Sequence, residues 1–264
     1  MSIWQERFHV FLQYKDLLKQ LVKRDVKLKY RRSVLGYVWS ILNPLLIMVI
    51  MTLVFSSMFN RGKGIENYPV YLIAGRTMFE FMTSSTNAAM RSIIGNGALL
   101  KKCYVPKYIF TLAKVTSSLV DFVFSLGALI IVMVFTRAKV TPYLLCTPLV
   151  MIQLYVFCCG LGFLLASLNV FFRDVQHIYK AMTTAWMYLT PIFYPIASLT
   201  KELQFFIKGF NPMYYYVAQF RDMVCDGRFP GPRIFWGGWL IAIVAFVIGV
   251  VVFKKSQDKF ILYI

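Results

Sequence analysis

The sequence predicts an all-α integral membrane protein with six transmembrane helices, preceded by an amphipathic helix at the membrane interface. Two observations predict this class. Of the 264 residues, 59% are hydrophobic and only 15% are charged, whereas soluble domains carry about 25% charged residues. In addition, six stretches are long and apolar enough to form the helix of ~20 residues that crosses the hydrocarbon core of a bilayer.

The first element is the interface helix, which the pattern predicts over residues 8–30. Apolar side chains recur there at helical spacing from Phe8 to Val22, and charged or amide side chains fill the opposite face. Such a helix lies in the interface, with its apolar face in the acyl boundary and its cations among lipid phosphates. A solvated cytoplasmic helix is the alternative.

The six predicted spans differ in strength. Two of them, 70–94 and 177–199, are weak, because the first contains Arg76 and Glu80 and the second is interrupted by two prolines. Polar groups and helix breaks are costly against lipid, so we expect these two spans to face protein or water. The strongly apolar spans are 38–59, 108–135, 143–170 and 234–253.

Lys and Arg are distributed unevenly between the two sides of the predicted spans. With the N-terminus in the cytoplasm, 19 of the 29 Lys and Arg lie on the cytoplasmic side and nine lie on the outer side. Cytoplasmic loops carry the excess of Lys and Arg in membrane proteins, so both termini are predicted to be cytoplasmic. Topology and anionic lipid therefore explain the net charge of +18, and we expect no nucleic-acid partner.

The sequence shows no pattern typical of catalysis, of a metal site or of a disulfide framework. Its five Cys have no C-x-x-C spacing, and His9 and His177 have no carboxylate cluster nearby. No G-x-x-x-x-G-K-[ST] loop is present to hold the phosphates of ATP. We therefore expect no catalytic residue, metal or cofactor in this chain, and another protein must supply the energy for any work.

Acidic residues inside a span often mark an ion-coupled carrier. Glu80 lies one helical turn after Arg76, so the two are predicted to form a structural ion pair within the membrane. Asp121 is isolated in its span, where a hydrogen bond to Ser or Thr on a neighbouring helix would satisfy it. A proton-driven carrier would need more such residues, and the sequence disfavours that class.

Five motifs occur in order along the chain: LVKRDVKLKYRRSVLGYVWSILNPLL, ALLKKCYVPKYIF, NVFFRDV, NPMYYYVAQFRD and KKSQDKFILYI. Together they resemble the membrane subunit of ABC-type polysaccharide exporters, over essentially the whole chain. The resemblance implies a homodimer of six-span subunits in the bacterial cytoplasmic membrane, with two ATPase subunits that bind ATP and Mg²⁺ on the cytoplasmic side. The implied substrate is a polyprenyl-diphosphate-linked glycan, such as an O-antigen or a teichoic acid, moved outward.

The resemblance also implies roles for two connections. Residues 198–233 resemble the family's re-entrant helices, which form an external gate. Residues 96–107 fall where the family carries the coupling helix that docks on the ATPase, and a basic loop that only sets topology is the alternative. The candidate coupling residues are Asn96, Leu99, Leu100, Lys101, Lys102 and Tyr104.

Aromatic residues on the first, second and fifth spans are candidates for a channel lining, because these spans line the channel in the family. Aromatic faces can stack on the C–H faces of sugars, and ordinary packing is the alternative for any one of them. The candidates are Phe55, Phe59, Phe79, Phe81, Trp186, Tyr188, Phe193 and Tyr194.

Cations of the interface helix are candidates for a phosphate entrance. Arg and Lys could hold the diphosphate of a lipid-linked substrate at the cytoplasmic side, or they could act only through orientation of the chain. The candidates are Arg24, Lys27, Lys29, Arg31 and Arg32.

Two other functions stay open from the sequence. One is an ABC exporter of drugs or small lipids on the same scaffold. The other is a membrane-embedded transferase acting on polyprenyl-linked sugars, which would need a loop rich in carboxylates or His, and the sequence contains none. Co-purification with an ATPase separates the exporters from the transferase.

Overall fold

The computed structural model describes residues 13–31, 35–59, 65, 67–102 and 105–264, with side chains at all of these positions except 30, 37 and 55–59. The described chain is helical throughout and contains no strand. Its α-helices are α1 (Lys15–Tyr30), α2 (Trp39–Phe59), α3 (Tyr68–Met90), α4 (Ser92–Gly95), α5 (Gly97–Leu100), α6 (Tyr108–Phe135), α7 (Thr147–Phe171), α8 (Val175–Leu189), α9 (Lys201–Phe210), α10 (Pro212–Val224), α11 (Pro232–Ser256) and α12 (Phe260–Tyr263). Short 3₁₀ turns occur at Gly36–Val38, Pro142–Cys146, Ile196–Ser198 and Gln257–Lys259.

Within the described residues, three helical segments are long and apolar enough to cross a membrane, namely Tyr108–Phe135, Pro142–Phe171 and Pro232–Tyr263. Trp39–Val54 is a shorter apolar segment. These helices make the chain an integral membrane protein. The count of six spans stays a prediction, because α3 carries charges and α8 has only 15 residues.

Helix α3 forms the centre of the core. It packs against α2, α6, α7 and α10, and side chains such as Leu72, Met78 and Met82 are fully buried. This enclosure suits a helix with Arg76 and Glu80, since protein neighbours tolerate polar side chains better than lipid does.

Helices α7 and α11 cross closely at two facing glycines. A methyl group on Gly249 would lie 2.0 Å from the main-chain oxygen of Gly160, and one on Gly160 would lie 2.4 Å from the backbone of Ala245. Small residues at such crossings let two backbones approach within a membrane. The outer face of α11 is largely exposed, with Leu240 at 65%.

The fifth predicted span, 177–199, is interrupted as its prolines indicate. Helix α8 ends at Leu189, just before Pro191, since the residue preceding a proline is disfavoured in helical conformation. The segment 198–233 folds as two helices, α9 and α10, joined at Asn211. The Asn211 side chain accepts a hydrogen bond from the main-chain N–H of Met213 and so caps α10.

Candidate functional site

A groove of about 280 Å³ lies between α3 and α8. Its threonine hydroxyls donate to main-chain oxygens of their own helices. The hydroxyl of Thr83 donates to the main-chain oxygens of Phe79 and Glu80, and that of Thr184 donates to the main-chain oxygen of Lys180. The lone pairs of these oxygens stay available as acceptors. The groove is lined by Arg76, Phe79, Glu80, Thr83, Thr183, Thr184, Met187 and Ile192.

Arg76 and Glu80 form a loose ion pair in this groove. Nε of Arg76 lies 4.0 Å from Oε2 of Glu80, beyond the ~3.2 Å limit of a hydrogen bond. That Nε is buried and has no hydrogen-bond partner within the described ranges. The two charges can therefore contact a polar ligand without first breaking a tight pair.

One of the predicted channel aromatics, Phe79, lines the groove, and three others, Trp186, Tyr188 and Tyr194, lie on or just after α8. Phe79 lines the groove and meets Trp186 edge to face, with 6.3 Å between ring centroids. The indole N–H of Trp186 donates to Asn211 Oδ1 at 2.8 Å. Tyr188 is 61% exposed, and its main-chain oxygen accepts a hydrogen bond from the hydroxyl of Tyr194.

Other predicted channel aromatics pack inside the chain. Phe81 is 2% exposed, with its ring centroid 5.0 Å from that of Phe122, and Phe193 is 5% exposed. Their rings contact protein, as ordinary packing predicts, and Phe81 also lines a second cavity between α1, α2, α3 and α6. The side chains of Phe55 and Phe59 lie outside the described part.

Arg221 of α10 holds the break that follows α8. Its guanidinium donates to the main-chain oxygens of Tyr71, Pro191 and Ile192. It also stacks on the Tyr71 ring, with Cζ 3.4 Å from the centroid. The planar fork of Arg suits this use, because several fixed N–H donors reach separate carbonyls at once.

Two tyrosines of α3 bind the next carbonyls of the same break. The hydroxyl of Tyr68 donates to the main-chain oxygen of Phe193 at 2.9 Å, and that of Tyr71 donates to Tyr194 at 3.0 Å. A run of main-chain oxygens freed by the end of α8 is thereby satisfied by side chains, as burial requires.

The partners of Arg221 could not be predicted from the sequence. Its side chain is buried, with the residue 8% exposed. The motif NPMYYYVAQFRD contains it, yet its acceptors lie 150 positions away at Tyr71 and 29 or 30 away in the break. Sequence spacing alone could not have found them.

The predicted phosphate entrance on α1 divides into paired and exposed cations. Lys29 Nζ contacts Asp121 Oδ2 of α6 at 2.8 Å, so Asp121 binds a cation rather than the expected hydroxyl. Arg24 bonds Asp25 and the side-chain oxygen of Asn96. These pairs attach α1 to the rest of the chain.

Other members of that set differ in their surroundings. Lys27 and Arg31 are exposed at the end of α1, and Arg32 lies outside the described residues. Asp25 also pairs with Lys114 of α6 at 2.9 Å, and Leu21 of α1 is buried. Helix α1 therefore packs on α6, with Lys27 and Arg31 as cations at its surface.

The predicted coupling segment, residues 96–107, contains the short helix α5 and directly follows α4. Leu99 is exposed, but Leu100 is 7% exposed and packs in the core, so Leu100 cannot serve as a docking anchor as expected. Lys102 is exposed. Tyr104 lies outside the described part of the chain.

The C-terminal turns pack on this segment. Lys101 Nζ donates to the main-chain oxygen of Ile264 at 2.8 Å, and Lys107 Nζ donates to that of Gln257. A methyl group on Gly97 would lie 2.3 Å from the Ile264 side chain. The coupling segment is thus held between α1, through Asn96, and the C-terminal turns.

A family model described as ABC-2 type transporter matches residues 16–224. The chain belongs to the ABC-2 type transporter family. The resemblance predicted from the five motifs is therefore confirmed at the level of the family. The matched range extends from α1 through α10 and so includes the groove, the Arg221 site and the coupling segment.

This ABC-2 family chain is similar over nearly its full length to named export proteins. The O-antigen export system permease protein RfbA of Myxococcus xanthus is 27% identical over 249 residues, covering 94% of this chain and 95% of that protein. The protein of the same name from Klebsiella pneumoniae is 27% identical over 246 residues, with 93% of both chains covered. The polysialic acid transport protein KpsM of Escherichia coli is 23% identical over 215 residues, covering 81% of this chain and 83% of that protein.

Proposed function

We propose that this chain is the permease subunit of an ATP-driven exporter that moves a polyprenyl-diphosphate-linked glycan out of the cytoplasm. The observation that carries this proposal is the groove between α3 and α8. Its threonine oxygens, aromatic edge and loosely paired charges offer several modest contacts to sugar hydroxyls and C–H faces. Such contacts suit a ligand that must enter and leave, since conduction requires binding that is not too strong.

The similarity to O-antigen and polysialic acid export proteins supports a glycan as the substrate. It favours glycan export over the export of drugs or small lipids. A bare lipid would also make little use of a groove rich in hydrogen-bond acceptors.

The proposed assembly is a homodimer in the bacterial inner membrane, with both termini in the cytoplasm. Two ATPase subunits bind ATP and Mg²⁺ and dock on the coupling segment, residues 96–107, around α5. Exposed Leu99 supports this docking, because an apolar side chain beside exposed Lys102 can enter a groove with a polar rim. Lys27 and Arg31 hold the diphosphate of the substrate at the cytoplasmic face.

The test is ATP-dependent glycan export by the chain reconstituted with its ATPase in proteoliposomes. The variant Thr83→Val with Thr184→Val removes two groove acceptors while keeping side-chain shape. We expect export to fall about five-fold or more, as each lost hydrogen bond contributes ~0.5–1.5 kcal/mol. The matched control is Thr136→Val, whose hydroxyl also donates to its own helix, at Val132, but lies at the end of α6.

The proposal stands if the groove variant loses export while its dimer and ATPase binding are intact, and Thr136→Val exports normally. Wild-type protein that exports a fluorescent drug but no glycan would overturn it. Equal export by the groove variant and the wild type would remove the groove from the translocation path.

A further inference from the structure

A second cavity, of about 260 Å³, opens between α1, α2, α3 and α6. It has room for about nine water molecules at ~30 Å³ each, which is enough for a single polar group of ring size. Its walls include five hydroxyl side chains and two carboxylates, namely Ser40, Thr77, Ser84, Ser118, Ser125, Glu80 and Asp121. We call this cavity the hydroxyl cleft.

Four hydroxyl groups of the cleft act as acceptors. Thr77 donates its hydrogen to the main-chain oxygen of Ile73 at 2.6 Å, and Ser118 donates to Lys114 at 3.2 Å. Ser84 and Ser125 likewise donate to oxygens of their own helices. A hydroxyl has one hydrogen and two lone pairs, so these donations leave its oxygen to accept from a ligand.

Charge in the cleft disfavours an anion. Lys29 is paired with Asp121 at 2.8 Å. Glu80 is the remaining charge among the residues that line the cleft, and its partner Arg76 lies 4.0 Å away outside that lining. A phosphate would meet this carboxylate and a row of acceptor oxygens. The complementary ligand is uncharged and rich in hydrogen-bond donors, and a sugar ring with several hydroxyls has that chemistry.

The cleft also has an aromatic ring and an amide in its lining, and both can contact a sugar. Trp39 lines the cleft and is 44% exposed, and an aromatic face can pack on the C–H face of a sugar ring. Asn43 adds an exposed amide, which can both donate and accept.

The cleft also lies between the proposed entrance and the groove. Glu80 lines the cleft and the groove alike. Lys29 lines the cleft, and its side chain is 56% exposed. Lys27 and Arg31 lie two positions from Lys29, about 200° away around α1, so they face another side of this helix. A diphosphate that reaches Lys29 would present its attached ring to the cleft.

We propose that the hydroxyl cleft binds the sugar ring attached to the diphosphate of the lipid-linked substrate. This inference rests on the proposed function and names its recognition step. The cations of α1 contact the charged diphosphate, and the acceptor-rich cleft contacts the neutral ring. The permease thereby distinguishes a loaded carrier lipid from a bare one.

The test is equilibrium binding to the assembled permease and ATPase complex in nanodiscs of phosphatidylglycerol. The two probes are polyprenyl diphosphate carrying one N-acetylglucosamine and polyprenyl diphosphate alone. We expect the wild type to bind the sugar-bearing probe about ten-fold more tightly, as one or two good hydrogen bonds would give. The variant Ser84→Ala with Ser118→Ala should lose most of this preference and keep its affinity for the bare probe.

Ser167→Ala is the matched control, because Ser167 also donates to its own helix, at Phe163, but is buried in α7 away from the cleft. It should keep the full preference. If the double variant does not assemble, Glu80→Gln provides the second measurement. It removes the acceptor carboxylate at similar size, and it should also lower the preference.

Equal binding of the two probes by the wild type, or a preference retained in the cleft variants, would overturn the cleft assignment. So would displacement of the sugar-bearing probe by phosphatidylethanolamine, since an ammonium headgroup also donates to acceptors. Glycan export by the wild type is measured separately from the binding of these probes. Absent glycan export would overturn the proposed function, whereas normal export with equal probe binding would overturn only the cleft.

Discussion

The guanidinium of Arg221 occupies the space that a side chain on Gly75 would need. A methyl group at position 75 would lie 2.4 Å from Nη2 of Arg221. The guanidinium cannot easily move away, because it donates to three main-chain carbonyls and stacks on Tyr71. Helix α3, the break after α8 and helix α10 are therefore joined at this one contact.

Replacing Gly75 with Ala is expected to destabilise the protein by ~3 kcal/mol. Overpacking a closely packed site costs ~1–3 kcal/mol, and a displaced guanidinium also weakens hydrogen bonds to a charged group. Thermal unfolding of the purified protein in detergent measures the change. The control is Gly209→Ala in α9, where a methyl group meets nothing within 4 Å. Equal melting of Gly75→Ala and wild type would show that Arg221 has an alternative position.

The contact between α7 and α11 gives a second prediction. Gly249→Ala should separate these helices, since its methyl group would lie 2.0 Å from the Gly160 main-chain oxygen. Backbone cannot yield as a flexible side chain can, so we expect a loss of at least ~2 kcal/mol in the free energy of unfolding. Gly95→Ala is the control, because nothing lies within 4 Å of its added methyl group. Unchanged melting of Gly249→Ala would contradict the close crossing.

The membrane class and the family were predictable from sequence, whereas the partners of individual side chains were not. A bilayer imposes length and polarity on each helix that crosses it, and these constraints appear directly in the hydropathy of 108–135, 143–170 and 234–253. Phe79 and Phe81 show the limit of that reasoning. They are two positions apart and so ~200° apart around a helix. Phe79 borders the groove, whereas Phe81 packs on Phe122 and lines the hydroxyl cleft. Both residues are phenylalanine, so hydropathy cannot distinguish their positions.

Arg221 shows the same limit in a different way. Its partners are main-chain oxygens exposed by a helix break, and any residue type can provide such an oxygen. No pattern of side chains marks them in advance. Positive charge in a connection usually indicates topology, so a buried Arg of this kind is counted as an outer-face cation.

The coupling segment gives a third prediction, which separates two neighbouring leucines. Leu99→Ser should reduce export and ATPase binding with little change in melting temperature, because Leu99 is exposed. Leu100→Ser should instead destabilise the chain by ~2–4 kcal/mol, since Leu100 is buried among apolar side chains. Co-purification of the ATPase and thermal unfolding distinguish the two effects. The assignment of Leu99 as an anchor is wrong if Leu99→Ser retains the ATPase and exports normally.

The last prediction concerns the exposed cations at the end of α1. Arg31 could act only through its charge, as a topology signal, or it could also hold the diphosphate of the substrate. Arg binds phosphate oxygens through a planar fork, whereas Lys acts as a point charge. Arg31→Lys keeps the charge and loses the fork, so an orientation role predicts no effect and a phosphate role predicts a loss.

We expect Arg31→Lys to insert normally and to export about five-fold less glycan, consistent with the loss of roughly one charge-assisted hydrogen bond. Cysteine accessibility on both membrane faces checks insertion, and the proteoliposome assay checks export. Arg91→Lys is the control, because Arg91 is an exposed Arg between α3 and α4 and belongs to the same predicted cytoplasmic face. Its charge contributes equally to topology. Normal export by Arg31→Lys would show that Arg31 acts only through its charge, as a topology signal. Other residues would then have to contact the phosphate.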